Sequence, residues 1–426
     1  MRIVYLNPCG QMGGAETSLE VLLGSVRAAE PEWELWLVLG EDGPLAGKAR
    51  QLGVNVLIAP FPRELACLGD AGESSLNTFW SLAKGAAATV LYVRRMAAIL
   101  RTAKPDVIHT NGFKMHLLGI WTRPLGIPVV WHIHDYVRRR PLMCRLLRWF
   151  SRYSSAAIVN SNSVGADLNS VVPNLRTVPI YNAVDLHRFA STGTRTDLDA
   201  VCGLPPATQG TLRVGLVATF ARWKGHKVFL QALARLSRAV PVRGYIIGGP
   251  IYQTNGSQWS ALELQQEAGR LGLDGRLGFT GFLDDTAAAM RSLDIVVHAS
   301  TEPEPFGMVI VEAMACERAV IASQEGGAAE LFVDGENALG HPPGDSEALA
   351  ERILRLTGDK ELRSRLGKAG RATALRLYES TRLARELLAV YRQVSSREAV
   401  IGSVQREPEP ALPSSHPGVA GRQASL

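Results

Sequence analysis

The stretch Ile295-Val296-Val297-His298-Ala299-Ser300-Thr301-Glu302-Pro303-Glu304-Pro305-Phe306-Gly307-Met308-Val309-Ile310-Val311-Glu312 reads as a strand, a loop and a helix in succession. Ile295–Ala299 is a short apolar run of the kind a buried parallel strand needs. Ser300–Pro303 is a loop, and Phe306-Gly307 marks a tight entry into a helix over Met308–Cys316. Free backbone N–H groups at such a helix start can face a phosphate. Glu304 lies on the loop and Glu312 about one and a half turns into the helix. Two acceptors so placed can grip the hydroxyls of a sugar and of a ribose on either side of that phosphate. Taken alone, the pair has a competing reading: a solvated loop acid and a helix-surface charge.

Working outward, the same alternation fills the chain. Val214–Ala218, Tyr245–Ile247, Leu277–Phe279 and Val320–Ala322 read as further strands, with helical segments such as Lys224–Ala239 and Ser260–Leu271 between them. An earlier set comprises Ile3–Leu6, Leu35–Leu39, Val54–Ala59, Val107–His109, Val129–Ile133 and Ile158–Val159, separated by helix-length stretches including Ala15–Ala28 and Thr78–Thr102. Alternation of this kind implies βαβ units and parallel sheets. The expected fold class is α/β, with two Rossmann-like doubly wound domains facing a central cleft. Ligand is expected at the carboxyl ends of the strands. The expected divisions are a first domain over 1–184, an interdomain linker over 185–210, a second domain over 211–375, a helix over 376–394 that packs back on the first domain, and a disordered tail over 395–426.

Composition agrees with this size. The chain has 426 residues, 46% hydrophobic and 20% charged, enough for two or three domains at roughly 150 residues each and too apolar for a disordered chain. Forty-six Lys and Arg against 40 Asp and Glu give a net +6. This mild excess permits a phosphate-bearing ligand or an anionic surface and does not demand nucleic acid. Five cysteines without a Cys-x-x-Cys pair fit a reducing, cytoplasmic compartment. No apolar run is long enough to span a membrane.

The Glu304-x7-Glu312 segment with Phe306-Gly307 resembles the signature of the retaining GT-B glycosyltransferases of family 4, the group 1 glycosyl transferases. The resemblance covers nearly the whole chain. Gly13-Gly14-Ala15-Glu16 matches the family's Gly-Gly turn after the first strand. Ile180-Tyr181-Asn182-Ala183-Val184-Asp185 matches its interdomain segment, Trp223-Lys224-Gly225-His226 its Lys-Gly helix start, and Gly281-Phe282 its base-side loop. The resemblance implies transfer of a sugar from a UDP-, GDP- or ADP-sugar to a glycan or lipid-linked acceptor. It also implies retained configuration, no essential metal and no cofactor, the nucleotide-sugar being a substrate.

The expected site follows. Catalytic work falls to Glu304, His134 and Lys224. Donor binding falls to Gly13, Gly14, Arg222, Lys224, Phe282, Glu304, Phe306, Gly307, Met308 and Glu312. A Lys at a helix start opposes the helix dipole, and a bound diphosphate supplies a reason for Lys224. The family pairs this Lys with an Arg five places earlier. Thr219 stands there instead, and Arg222 is the nearest substitute. His134, at a strand end, matches the family residue that contacts the donor sugar, while His132 reads as a satisfied half-buried histidine. His109 and Asn111 end the preceding strand and read as acceptor-side residues.

A basic stretch, Arg138-Arg139-Arg140 with Arg145, Arg148 and Arg152, alternates with Leu142, Met143, Leu146, Leu147 and Phe150. It reads either as a domain helix or as a surface for anionic lipid at the inner membrane face. Three other readings remain. A dehydrogenase is disfavoured because G-x-G-x-x-G is absent after the first strand. An epimerase or phosphorylase shares the fold but would not release nucleotide only with acceptor. A non-catalytic sugar-nucleotide-binding subunit is favoured by Thr219 and opposed by intact Lys224, Glu304 and Glu312.

Overall fold

The computed structural model describes residues 1–61, 75–120, 125–250 and 256–396. Cys67 and all but the first two residues of the expected tail lie outside them. Two all-parallel sheets form the framework. The first contains β1 (Arg2–Asn7), β2 (Glu34–Leu39), β3 (Asn55–Ile58), β4 (Val107–Asn111), β5 (Val129–Ile133), β6 (Ala156–Val159) and β7 (Thr177–Pro179), in the order β3-β2-β1-β4-β5-β6-β7. The second contains β8 (Leu212–Val217), β9 (Val242–Ile247), β10 (Leu277–Gly281), β11 (Ile295–His298), β12 (Ala319–Ser323) and β13 (Leu339–His341), in the order β10-β9-β8-β11-β12-β13. The short strands β7 and β13 sit at sheet edges, too brief to stand out by periodicity.

Helices cover both faces of each sheet, so the central strands are buried on both sides. In β1, Ile3 and Tyr5 face one core and Val4 and Leu6 the other. This is why these strands read as continuous apolar runs and not as alternating ones. In each sheet the strand order reverses beside the first strand, between β1 and β4 and between β8 and β11. That reversal opens a crevice at the carboxyl ends, and both crevices face the cleft between the domains.

The described residues close with three consecutive helices, Ser346–Gly358, Lys360–Leu377 and Ser380–Ser395. Asp345 and Asp359 cap the first two, each side chain accepting backbone N–H groups, which is what breaks a continuous helical pattern into pieces. The last helix crosses to the first domain. Its Leu383, Leu387, Leu388 and Tyr391 pack with Ile3, Leu19, Leu22 and Leu23. Residues 185–210 are not a loose connector. Phe189 and Leu198 join the core of the second domain. The buried Asp199 accepts from Arg213 at 2.9 Å, Arg243 at 2.6 Å and Tyr245 at 2.6 Å, and Arg291 donates to the carbonyls of Thr194 and Arg188. Polar composition suggested a linker because these anchors are themselves polar.

Candidate functional site

After β8 the chain makes a single 3-10 turn, Arg222–Lys224, and enters the helix His226–Arg235 through Gly225 at φ +76°. A Cβ on Gly225 would lie 1.8 Å from the carbonyl oxygen of Ala299. Only glycine fits, and the close approach sets Lys224 against the end of β11. There Lys224 Nζ donates to Glu304 Oε1 at 2.6 Å. The other carboxylate oxygen of Glu304 accepts from Ser300 Oγ at 2.6 Å and pairs with His298 Nε2 at 2.7 Å. Glu304 is buried, so it is no solvated loop acid. Burial alone would raise its pKa, but Lys224 and His298 outweigh that and hold the carboxyl well below the ordinary range.

Gly307, at φ +101°, caps the helix Met308–Ala315. Glu312, on this helix, lines a cavity of about 710 Å³ between the domains. Gly13 and Gly14 border it from the first domain, and Thr219, Phe282 and Met308 from the second. An added Cβ on Gly14 would meet nothing within 4 Å, so this helix start presents open space to the cavity. Burial pushes the Glu312 carboxyl up to about 7, with Arg188 opposing. Phe282 is exposed and rests on Gly249.

Four expected site residues sit differently. Arg222 stacks on Trp259, 3.8 Å from the ring centre, and pairs with Glu263 at 3.6 Å, so its side chain is engaged away from Lys224. Phe306 turns its ring into the core between Tyr181 and Tyr378, leaving only its backbone near the helix start. His109 is fully buried, bonded to Tyr391 at 2.8 Å and to His132 at 3.2 Å. It faces the crossing helix, not an acceptor. Asn111 is also buried and bonds His134 Nε2 through Oδ1 at 2.5 Å. His134, just after β5, is half-buried and is not among the residues lining the cavity, and burial pushes its imidazole down to about 4. His132, expected half-buried and satisfied, is instead fully buried with Nε2 unpartnered.

Sequence reasoning missed the residues that join the domains. Tyr136 donates to the Glu304 carbonyl and accepts from Gly327 N–H, each at 3.3 Å. Arg139 donates to the Pro303 carbonyl at 3.0 Å. Glu330 of the second domain accepts from the free N–H groups of Asn162 at 2.9 Å and Ser163 at 2.7 Å, at the start of the helix Asn162–Val171, and from Tyr181 Oη at 2.8 Å. A carboxylate there is favoured by the helix dipole. His298 and Ser300 were also missed, although both lie in the stretch that decides the fold. Among the described residues, no three His, Cys, Asp or Glu side chains are grouped to hold a metal.

Residues 44–188 match the family model described as Glycosyltransferase Family 4, and residues 207–373 the one described as Glycosyl transferases group 1. The chain is 34% identical over 324 residues to the putative glycosyltransferase EpsD of Bacillus subtilis, covering 70% of this chain and 79% of that one. It is 34% identical over 232 residues to the phosphatidyl-myo-inositol mannosyltransferase of Mycobacterium tuberculosis, covering 53% of this chain and 56% of that one. Among solved structures, Anabaena Alr3699/HepE in complex with UDP superposes with a TM-score of 0.75 at 25% identity, over 92% of this chain and 100% of that one.

Proposed function

This chain belongs to the GT-B glycosyltransferases, and on that premise we propose that it transfers a hexose from a UDP-sugar, with retention of configuration and without a metal, to a glycan or lipid-linked acceptor at the cytoplasmic face of a membrane. The carrying observation is the buried Glu304 cluster on the loop that leads into the helix bearing Glu312, which itself lines the interdomain cavity. The UDP and UDP-glucose complexes of HepE support the choice of donor.

In this reading the diphosphate lies at the start of the helix Met308–Ala315, and Lys224, with two N–H bonds beyond the one given to Glu304, faces it. Developing charge on the leaving diphosphate is stabilised by that ammonium and the helix-start amides; one such contact commonly lowers a barrier by ~3 kcal/mol. Glu304 fixes the sugar, Glu312 the ribose, and His134 approaches from the first domain. The carboxylate oxygens of Glu304 already hold three partners, which blunts Glu304 as a nucleophile. Same-face attack through a short-lived ion pair is therefore preferred to double displacement. The exposed face of the helix Pro141–Phe150 carries Leu142, Arg145, Arg148 and Trp149, an interfacial mix suited to anionic lipid. Arg139 and Arg140 are spent elsewhere, on Pro303 and Asp135.

The test is a thermal-shift panel of UDP-, GDP- and ADP-sugars, followed by NMR of the product's anomeric configuration with and without EDTA. Stabilisation by UDP-sugars and a retained anomer in EDTA are expected. An inverted anomer, or activity restored only by added Mg²⁺ or Mn²⁺, would overturn the mechanism.

A further inference from the structure

The cavity between the domains is short of positive charge. Four carboxylates line it, those of Glu20, Asp185, Glu312 and Glu379, and among the described residues Arg188 is the one Lys or Arg that does. A nucleotide sugar is an anion, so this balance needs a reason. Three of the acids are accounted for by partners of their own. Glu20 pairs with Lys48 at 2.8 Å. Asp185 accepts the backbone N–H groups of His187 and Arg188 at 3.0 Å each, and Glu379 accepts from Thr381 Oγ1. For Glu312 the opposing charge is Arg188.

Arg188 is exposed, yet it is held at both ends. Its backbone N–H is taken by Asp185, and its carbonyl accepts from Arg291 at 3.0 Å. Phe189, next in the chain, is buried in the core of the second domain. From this base Arg188 Nη2 reaches the Asp284 carbonyl at 3.2 Å and Thr286 Oγ1 at 3.3 Å. Phe282, Leu283 and Thr286 line the same cavity, so one guanidinium ties the interdomain segment to the loop after β10. A guanidinium keeps its proton at every working pH. It is a permanent charge facing a carboxyl that does titrate, since burial pushes Glu312 up to about 7 and Arg188 acts against that. Other cations near this segment are committed to backbone carbonyls: Arg291 to Thr194 and Arg188, Arg371 to Phe189 and Ala315. Cys316, at the end of the helix that bears Glu312, is pushed up to about 11 by burial and stays uncharged. His187 also lines the cavity and is separated from Arg188 by its own variant below.

We infer that Arg188 is a positioning residue of the nucleoside pocket: it ties the loop after β10 to the interdomain segment and supplies the charge against which Glu312 grips a nucleotide sugar. This rests on the nucleotide-sugar reading of the cleft. An ionised carboxylate accepts from two ribose hydroxyls, whereas a protonated one has given an oxygen to its own O–H. Affinity therefore follows the ionisation of Glu312, and Arg188 sets the pH at which that grip is complete.

The test is calorimetric titration of the full-length protein with UDP-glucose between about pH 5.5 and 8.5. The diphosphate of this probe is esterified at both ends and takes up no proton in that range. Affinity of the parent should rise with pH around the Glu312 midpoint near 7. Arg188→Gln keeps an amide to donate to the loop but removes the charge. Its midpoint should move up by at least ~0.5 pH unit, a small shift for an opposite charge because Arg188 is exposed. Its affinity should then be about 2-fold weaker at pH 7 and close to the parent's at pH 8.5. Arg188→Lys restores the charge and should restore the parent midpoint, and His187→Gln should leave it in place. A midpoint unmoved in Arg188→Gln, an equal loss at every pH, or a shift in His187→Gln instead overturns the inference. Carbon-13 NMR of carboxyl-labelled glutamate reads the same midpoint without ligand, Glu312 being assigned by its loss in Glu312→Gln, and no movement there in Arg188→Gln is equally fatal. Binding by the parent with the midpoint unmoved refutes this inference alone. No binding of UDP-, GDP- or ADP-glucose by the parent refutes the nucleotide-sugar reading and the grip on the ligand with it.

Discussion

Glu304→Gln looks silent by shape, but the geometry around Glu304 makes it costly. The carboxylate meets Lys224 at 2.6 Å, His298 at 2.7 Å and Ser300 at 2.6 Å. At an effective dielectric of about 20, the charge pair with Lys224 amounts to about 6 kcal/mol gross. Removing the buried charge returns several kcal/mol of desolvation penalty. The glutamine can then aim its oxygen at Lys224 and its amide at Ser300 and His298, which can both switch to accepting. Lys224 is 19% exposed, so water relieves part of its loss. The balance is a net cost of ~3 kcal/mol, at the low end for breaking a buried pair. At 2–4 °C per kcal/mol for a domain of this size, the second domain should melt roughly 6–12 °C lower.

Two assays check this. Differential scanning calorimetry reads the melting shift, and kcat with saturating donor should fall by at least ~100-fold. The double variant Glu304→Gln/Lys224→Met removes both charges and should recover ~1–3 kcal/mol of the loss. A melting temperature within about 2 °C of the parent together with parent-like kcat would refute the idea that this cluster both holds the loop and serves the reaction.

Lys224→Ala should weaken nucleotide-sugar binding and slow turnover by at least ~100-fold; unchanged turnover removes Lys224 from the mechanism. Glu312 titrates near 7 when folded and near ~4.3 unfolded. The folded state therefore binds this proton more tightly, and stability falls as pH rises between those values. Glu312→Gln should erase that fall, gain up to ~3 kcal/mol at pH 8 and nothing at pH 4, and lose the tightening of nucleotide diphosphate binding expected of the parent as pH rises through 7. Parallel pH curves for both proteins would refute it. Glu330→Ala should open the domains, seen as a larger radius of gyration in X-ray scattering and a raised donor KM; identical scattering and KM would show that the bonds to Asn162 and Ser163 do not govern closure. Arg145→Glu/Arg148→Glu should cut binding to anionic vesicles by at least ~10-fold, at ~1 kcal/mol per arginine removed, while equal binding would end the case for membrane contact.

The fold was legible because both sheets are parallel and sandwiched between helices. Their central strands are forced to be apolar on both faces, as in Ile3–Leu6 and Ile295–Val297, and such runs are visible without any partner in view. The carboxyl-end rule then places ligand chemistry in a short list of loops, and Glu304 and Glu312 fall on one of them. The edges of the scheme were harder. Thr177–Pro179 and Leu339–His341 are three residues each, below the length at which a period can be read. Asp197, Asp199, Thr194 and Gly203 read as linker composition because caps and ion-pair anchors use the same residue types as loops.

What stayed hidden at the site has one physical cause: direction. A sequence places a side chain on an element but does not say which way it points across a tertiary contact. His109 and Asn111 are two residues apart on β4 and so share a face, yet His109 bonds a tyrosine 282 positions later and Asn111 an asparagine 104 positions earlier. Arg222 and Lys224 are likewise two apart, and their single 3-10 turn sends one to Trp259 and the other to Glu304. The same limit applies between domains. Tyr136 and Gly327 are 191 positions apart, and a Cβ on the neighbouring Gly326 would meet Tyr136 Oη at 2.5 Å. Read alone, that glycine is a turn residue. Read with Tyr136, it is clearance for a hydroxyl that bridges the two domains at the Glu304 backbone. Closing the cleft and setting the Glu304 loop are therefore coupled through this phenol, as they are through Arg139 at the Pro303 carbonyl, a dependence that lies in neither domain's sequence taken separately.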